Sequence, residues 1–245
     1  MAVSSNSHRQ DSQPVYVLHT YPFKETSLVV ELFTHGFGRV ATTAKGARRP
    51  RSAMRGMLQS FQPLLATWSG KLELKTLHSI EWGSGLLLLK GEALMCGFYL
   101  NELLLRLLPR EDAHESLFEY YSATLKVLAS GEDLASTLRR FELKLLQELG
   151  YAIPLQHDVS SEAILENVNY HYLAEHGATR LIGMSARKSN GIQLLGKTLI
   201  DMASDDYGSA QTQQQSKQLM RYLLAHYLGD KPLHTRQLLI DLQGL

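Results

Sequence analysis

The sequence is short of cysteine, of long apolar runs and of catalytic signatures, and each shortage excludes a class of function. Cys96 is the single cysteine, which rules out an internal disulfide and any cysteine-cluster zinc site. Its neighbours Leu94, Met95 and Phe98 include no cation, so a small buried hydrophobe is expected rather than a reactive thiol. The most apolar stretch, Leu94 to Leu108, contains Glu102 and Arg106 and is too short and too charged to span a bilayer. Met1 to Pro14 is rich in Ser, Gln and Asn and lacks a signal-peptide core. Residues 1–14 are read as a flexible polar tail, and the protein as cytoplasmic with no membrane partner. Gly83-Ser84-Gly85 does not have the spacing of a nucleophile elbow, Gly36 and Gly38 lack the third glycine of a dinucleotide fingerprint, and no Walker A motif occurs. His171 with His176, or His157 with Asp158, fit surface or half-buried roles better than metal ligation. A non-enzymatic protein without metal or cofactor is expected.

Acidic residues are the most informative shortage. None occurs between Leu32 and Leu72. Residues 1–80 hold ten Lys/Arg against four Asp/Glu, while residues 81–245 hold fifteen against twenty, so a net charge of +1 conceals a basic head on an acidic body. The densest cationic stretch is Lys45-Gly46-Ala47-Arg48-Arg49-Pro50-Arg51, with Arg55 beyond it. Gly46 and Pro50 make it a loop, from which planar guanidinium forks can reach phosphate together. Arg39 precedes Lys45 by an even number of residues and is expected on the same sheet face; Lys24 and Lys71 complete the basic set. Tyr21, Phe23 and Phe37 are placed in turns as candidates for base stacking, whereas Phe61 and Trp68 are assigned to the core. Nucleic acid is the leading partner; a basic adaptor for RNA or for an acidic protein is the alternative.

The first third reads as five short strands: Val15–His19, Thr26–Thr34, Arg39–Lys45, Gln62–Trp68 and Leu72–Glu81. With no room for crossover helices, a closed barrel over 15–82 is favoured, an OB-like one being the economical choice beside SH3-like barrels and other small sheets. After Trp82 the period becomes helical. One helix, apolar on nearly every side, ends at Pro109, and Asp112 with Glu115 has the form of a capping box for the next, which carries Leu117, Tyr121, Leu125 and Leu128 on one stripe. A third carries Leu134, Leu138, Phe141, Leu145 and Leu149 before Gly150, and the three are expected to form one core. Within an irregular insert at about 151–210, Val168–Leu173 and Thr179–Ile182 suggest a hairpin, followed by a short element near Gly191–Leu195. Helix returns over Gln211–Tyr227, and a last one starts near Thr235. The fold class is therefore α+β, with a barrel at 15–82 and a mainly helical domain at 83–245.

Several blocks carry a family resemblance. They run from Val17-Leu18-His19, Glu25-Thr26-Ser27-Leu28 and Leu32-Phe33-Thr34 through Gly38-Arg39-Val40 and Ala44-Lys45-Gly46-Ala47-Arg48. Leu58-Gln59, Phe61 and Leu74-Lys75-Thr76-Leu77 follow, then Tyr99-Leu100-Asn101-Glu102-Leu103-Leu104. Arg139-Arg140-Phe141-Glu142-Leu143, Leu149-Gly150-Tyr151, Leu228-Gly229 and Lys231-Pro232-Leu233 close the series. In order and spacing these blocks resemble the RecO family of bacterial recombination mediators. The resemblance implies an OB barrel that binds single- and double-stranded DNA, annealing of complementary strands, and a nucleoid-associated life in the cytoplasm. It also implies docking on the acidic C-terminal tail of single-stranded-DNA-binding protein and action with RecR to load RecA. Arg139, beside Leu138 and Phe141, is the residue carried over for tail docking, its pairing with Glu142 or Glu132 being the plainer alternative. Many members hold zinc with four cysteines between the third helix and the last ones; this chain has none there, so a metal-free version is expected.

Overall fold

A computed structural model describes residues 8–83, 85–151, 153–181, 190–229 and 232–235. Its first strands are β1 (Arg9–Phe23), β2 (Ser27–Thr34) and β3 (Gly38–Ala44); a short helix α1 (Met54–Met57) precedes β4 (Leu64–Ser69) and β5 (Leu74–Trp82). They close into a five-stranded barrel in the order β1-β2-β3-β5-β4, with β3 and β5 parallel and the other pairs antiparallel. This is the OB-like barrel expected. Val15, Val17, Val30, Leu32, Val40, Leu64, Trp68, Leu77 and Ile80 fill it, and Ala47 caps it from the loop after β3. Phe61 and Trp68 are buried, as expected. The polar tail ends earlier than expected: Arg9, Gln10, Gln13 and Pro14 pair with Ser69, Trp68, Ala66 and Leu65, so residues 9–14 are strand. Residues 1–7 of that tail lie outside the described residues.

In space the chain divides after Glu132 rather than after Trp82: described residues up to Glu132, with His234 and Thr235, form one unit, and Asp133–Leu233 the other. The first unit adds α2 (Gly91–Leu107) and α3 (Glu115–Ser130) to the barrel. On α3 the expected stripe of Leu117, Tyr121, Leu125 and Leu128 is buried, and its rings meet the barrel wall, Tyr16 lying 5.4 Å from Phe118 and 5.1 Å from Tyr121. Helix α2 is less enclosed than its composition suggests, since Phe98 is exposed and Cys96 half-buried. Its buried polar pair does specific work. Asn101 Nδ2 donates to the Leu18 carbonyl (2.9 Å) and Oδ1 accepts from the Tyr121 hydroxyl (2.5 Å). Glu102 accepts from the backbone N–H groups of His234 and Thr235 and from the Thr235 hydroxyl, tying the returning chain to α2. The expected capping box is absent: α3 starts at Glu115 behind His114, with no side-chain cap.

The second unit holds α4 (Leu134–Glu148), the sheet β7-β6-β8 (Gly177–Arg180, Asn169–Leu173, Ile192–Leu195), α5 (Gly196–Ala203) and α6 (Ala210–Leu228). Helix α4 therefore sorts with these elements, not into one core with α2 and α3. Asp133 caps α4 by accepting from Ser136 N–H, and Ser209 caps α6 through Thr212 N–H. Gly150 follows α4 with φ +82°, as a C-terminal glycine should. The hairpin and the short strand near Gly191 form as expected, while Ile182 and the chain beyond Thr235 lie outside the described residues.

Candidate nucleic-acid interface

The loop after β3 owes its shape to backbone bonds that leave its side chains outside. Arg48 N–H donates to the Thr26 carbonyl at 2.9 Å, and Arg48 Nη1 reaches the Lys24 carbonyl at 3.4 Å, so the loop sits on the β1–β2 turn. Gly46 takes φ +70°, and successive turns (Arg49 N–H to Gly46 O, Ser52 N–H to Arg49 O, Arg55 N–H to Ser52 O) carry the chain to α1. With Ala47 buried as an anchor, Lys45, Arg48, Arg49, Arg51 and Arg55 are all exposed, as is Lys24. Among the described residues no carboxylate forms a salt bridge with any of these six, although Glu25 shares the β1–β2 turn. Uncompensated positive charge of this kind attracts phosphate.

Two expected members stand elsewhere. Arg39 is not part of this surface: its guanidinium donates to Glu31 (3.1 Å) and to the Leu108 carbonyl (3.0 Å), and Arg110 clamps the other Glu31 oxygen. Lys71 is exposed but follows β4, at the Gly38 end of β3, whereas the basic loop leaves from the Ala44 end. The aromatic set also changes. Phe37 does lie in a turn, but its ring packs against buried Trp68 at 5.6 Å, at the end opposite the basic loop. Tyr21 and Phe23 belong to β1 itself; Tyr21 is 46% exposed and meets the ring of His19, a residue the sequence reading passed over.

A second candidate site lies within the Asp133–Leu233 unit. A cavity of about 130 Å³ is lined by Ser136, Leu138, Arg139, Tyr207, Gln213 and Lys217 among others. Arg139 holds Glu142 at 2.6 Å, the plainer pairing, and still borders the cavity. Leu138 lines it, but Phe141 is fully buried and unavailable to a partner. Tyr207 is braced by Arg140, which lies 5.2 Å from its ring and pairs with Asp205. Burial, seconded by Asp205, pushes the Tyr207 hydroxyl up to about 12, leaving it a neutral donor at ordinary pH. Lys217, Gln213 and Tyr207 carried no sequence signal because α6 and the chain before it meet α4 only in the fold. The pairing of an apolar floor with two cations suits a chain end that carries an apolar side chain and a free carboxylate. Among the described residues no group of three or more His, Cys, Asp or Glu is placed to hold a metal ion. Asp158 accepts from the backbone N–H groups of Ser160 and Glu162.

Comparisons with known proteins agree with this architecture. A family model described as Recombination protein O N terminal matches residues 10–85, and one described as Recombination protein O C terminal matches residues 88–237. The protein called DNA repair protein RecO in Nitrosospira multiformis is 54% identical over 98% of this chain and 99% of its own length. Its namesake in Aromatoleum aromaticum is 53% identical over 98% and 100%, and that of Burkholderia pseudomallei 50% identical over 100% and 88%. No helix among the described residues is long and apolar enough to cross a membrane. Identity at this level along nearly the whole length, with both halves matched in order, means that the chain belongs to the recombination protein O family.

Proposed function

We propose that this protein is a DNA repair and recombination mediator, not an enzyme: it binds single- and double-stranded DNA and anneals complementary strands. In the same reading it docks on the acidic C-terminal tail of single-stranded-DNA-binding protein and works with RecR to promote RecA loading on the chromosome in the cytoplasm. The observation that carries the reading is the exposed loop of Lys45, Arg48, Arg49, Arg51 and Arg55 with Lys24 at its side, free of carboxylate partners among the described residues. Two polyanions repel, and a cationic surface that releases their counterions lowers that barrier without making or breaking a bond. Supporting the docking role, the cavity rimmed by Arg139 and Lys217 offers an apolar floor beside two cations. The names of the half-identical relatives support the repair role.

The test is strand annealing, on bare and on protein-coated complementary strands. Arg48→Glu with Arg49→Glu should abolish annealing of both and flatten the salt dependence of single-strand affinity, which falls by about 0.7 log units per phosphate contact for each tenfold rise in salt. Lys217→Ala should spare bare strands and slow annealing of coated ones, as should deleting the coating protein's acidic tail. Identical failure of both variants in both assays would refute the division of labour. A shallow salt slope together with tight binding to an acidic protein would favour the adaptor instead.

A further inference from the structure

The register of β1 shifts between Val17, opposite Leu32, and His19, opposite Glu31, so Leu18 is an inserted residue: a β-bulge. Before the bulge, Val15 and Val17 point into the barrel and Tyr16 points out; simple alternation would send His19 and Tyr21 inward. The bulge reverses this. His19 and Tyr21 share the outer face with their cross-strand partners Glu31 and Val29, and both are exposed. The bulge is pinned, because the Leu18 carbonyl accepts from buried Asn101, itself held by the Tyr121 hydroxyl. The two rings lie 4.5 Å apart at 63°, an edge-to-face pair that holds the Tyr21 ring in place.

Charge identifies the occupant. Three residues beyond Tyr21, in the turn that follows β1, is Lys24, whose carbonyl holds the Arg48 guanidinium. The ring pair thus runs into the cationic loop, and the carboxylate facing His19, Glu31, is neutralised by Arg39 and Arg110. An exposed aromatic step leading to guanidinium groups that have no carboxylate partner among the described residues suits a strand with free base faces; a duplex keeps its bases stacked on one another. We infer that the outer face of β1 beyond its bulge, through His19 and Tyr21, is a stacking platform for the bases of single-stranded DNA. The inference rests on the DNA-binding reading above.

Fluorescence anisotropy at low ionic strength tests it with the full chain and three probes: a short oligothymidine, an abasic strand of equal length, and a duplex. Tyr21→Ala should weaken oligothymidine about tenfold, roughly 1.4 kcal/mol, with His19→Ala losing less and Tyr21→Phe retaining the unmutated affinity. Abasic strand and duplex should be unaffected, and the salt slope unchanged. Unaltered oligothymidine affinity in the two alanine variants, or an equal loss on the abasic strand, would overturn the platform while leaving the loop's role intact. Absence of binding to every probe by the unmutated protein would instead overturn the DNA-binding reading itself.

Discussion

Glu31 lies on the outer face of β2 with its side chain only 4% exposed, one oxygen on Arg39 and the other on Arg110, which also holds Glu73. Around a carboxylate so enclosed, the two guanidinium groups stand where water would. Removing it strands Arg39, whose side chain is 15% exposed, while Arg110 at 35% can partly turn to solvent. Glu31→Ala should therefore cost about 2–4 kcal/mol, read as a lower urea midpoint at unchanged slope. The same cluster explains one misplaced expectation. Even spacing relates Arg39 to Lys45 only while a strand continues, and β3 ends at Ala44; spacing is also silent about a neighbouring strand's carboxylate and an arginine from the segment after α2. The loop residues Arg48 and Arg49 were legible because nothing acidic lies near them in sequence. Arg39 was not, because its partner is set by sheet register.

At the scale of elements, several features depend on contacts that local sequence does not record. Gly38 opens β3 at φ +63°, and a Cβ there would collide with the backbone of Asp112, where Glu111 N–H donates to the Arg39 carbonyl. Gly38→Ala combines a left-handed backbone with that collision and should lower stability by at least about 2 kcal/mol, visible as a reduced thermal midpoint. The same close approach accounts for the missing capping box. Asp112 is fixed against β3 and its carboxylate lies 3.4 Å from His114 Nε2, so the helix begins later, at Glu115. Strand positions and the buried stripe of α3 were readable because alternation and helical period report which face is apolar. The bulge at Leu18 was not, since one inserted residue shifts the phase without changing composition.

Across the whole molecule, burial leaves a signature at high pH. Burial raises the Tyr121 and Tyr172 hydroxyls far above their ordinary value, and Tyr207 to about 12. Above the unfolded tyrosine pKa of about 10, the unfolded chain loses these protons and the folded one keeps them, so stability falls as pH rises. Each such tyrosine subtracts at most about 1.4 kcal/mol per pH unit until its folded pKa is reached. Tyrosinate absorbance from Tyr121, Tyr172 and Tyr207 should therefore appear only together with unfolding measured by circular dichroism. Its appearance near the ordinary value, with the fold intact, would contradict the burial described.

The units of sequence and of space also differ at this scale. The family models meet between residues 85 and 88, whereas α2 and α3 pack with the barrel, Tyr16 and Phe33 being covered by Phe118 and Tyr121. Alone, the order of amino acids determined family, barrel strands, helix periods and the acid-free basic loop, because these are properties of neighbours along the chain. The fold decided which cations remain available, which rings point outward, and that Lys217 joins Arg139 at one cavity. Those outcomes depend on register and on packing between residues remote in sequence, where a single inserted residue or a distant partner reverses what local pattern implies.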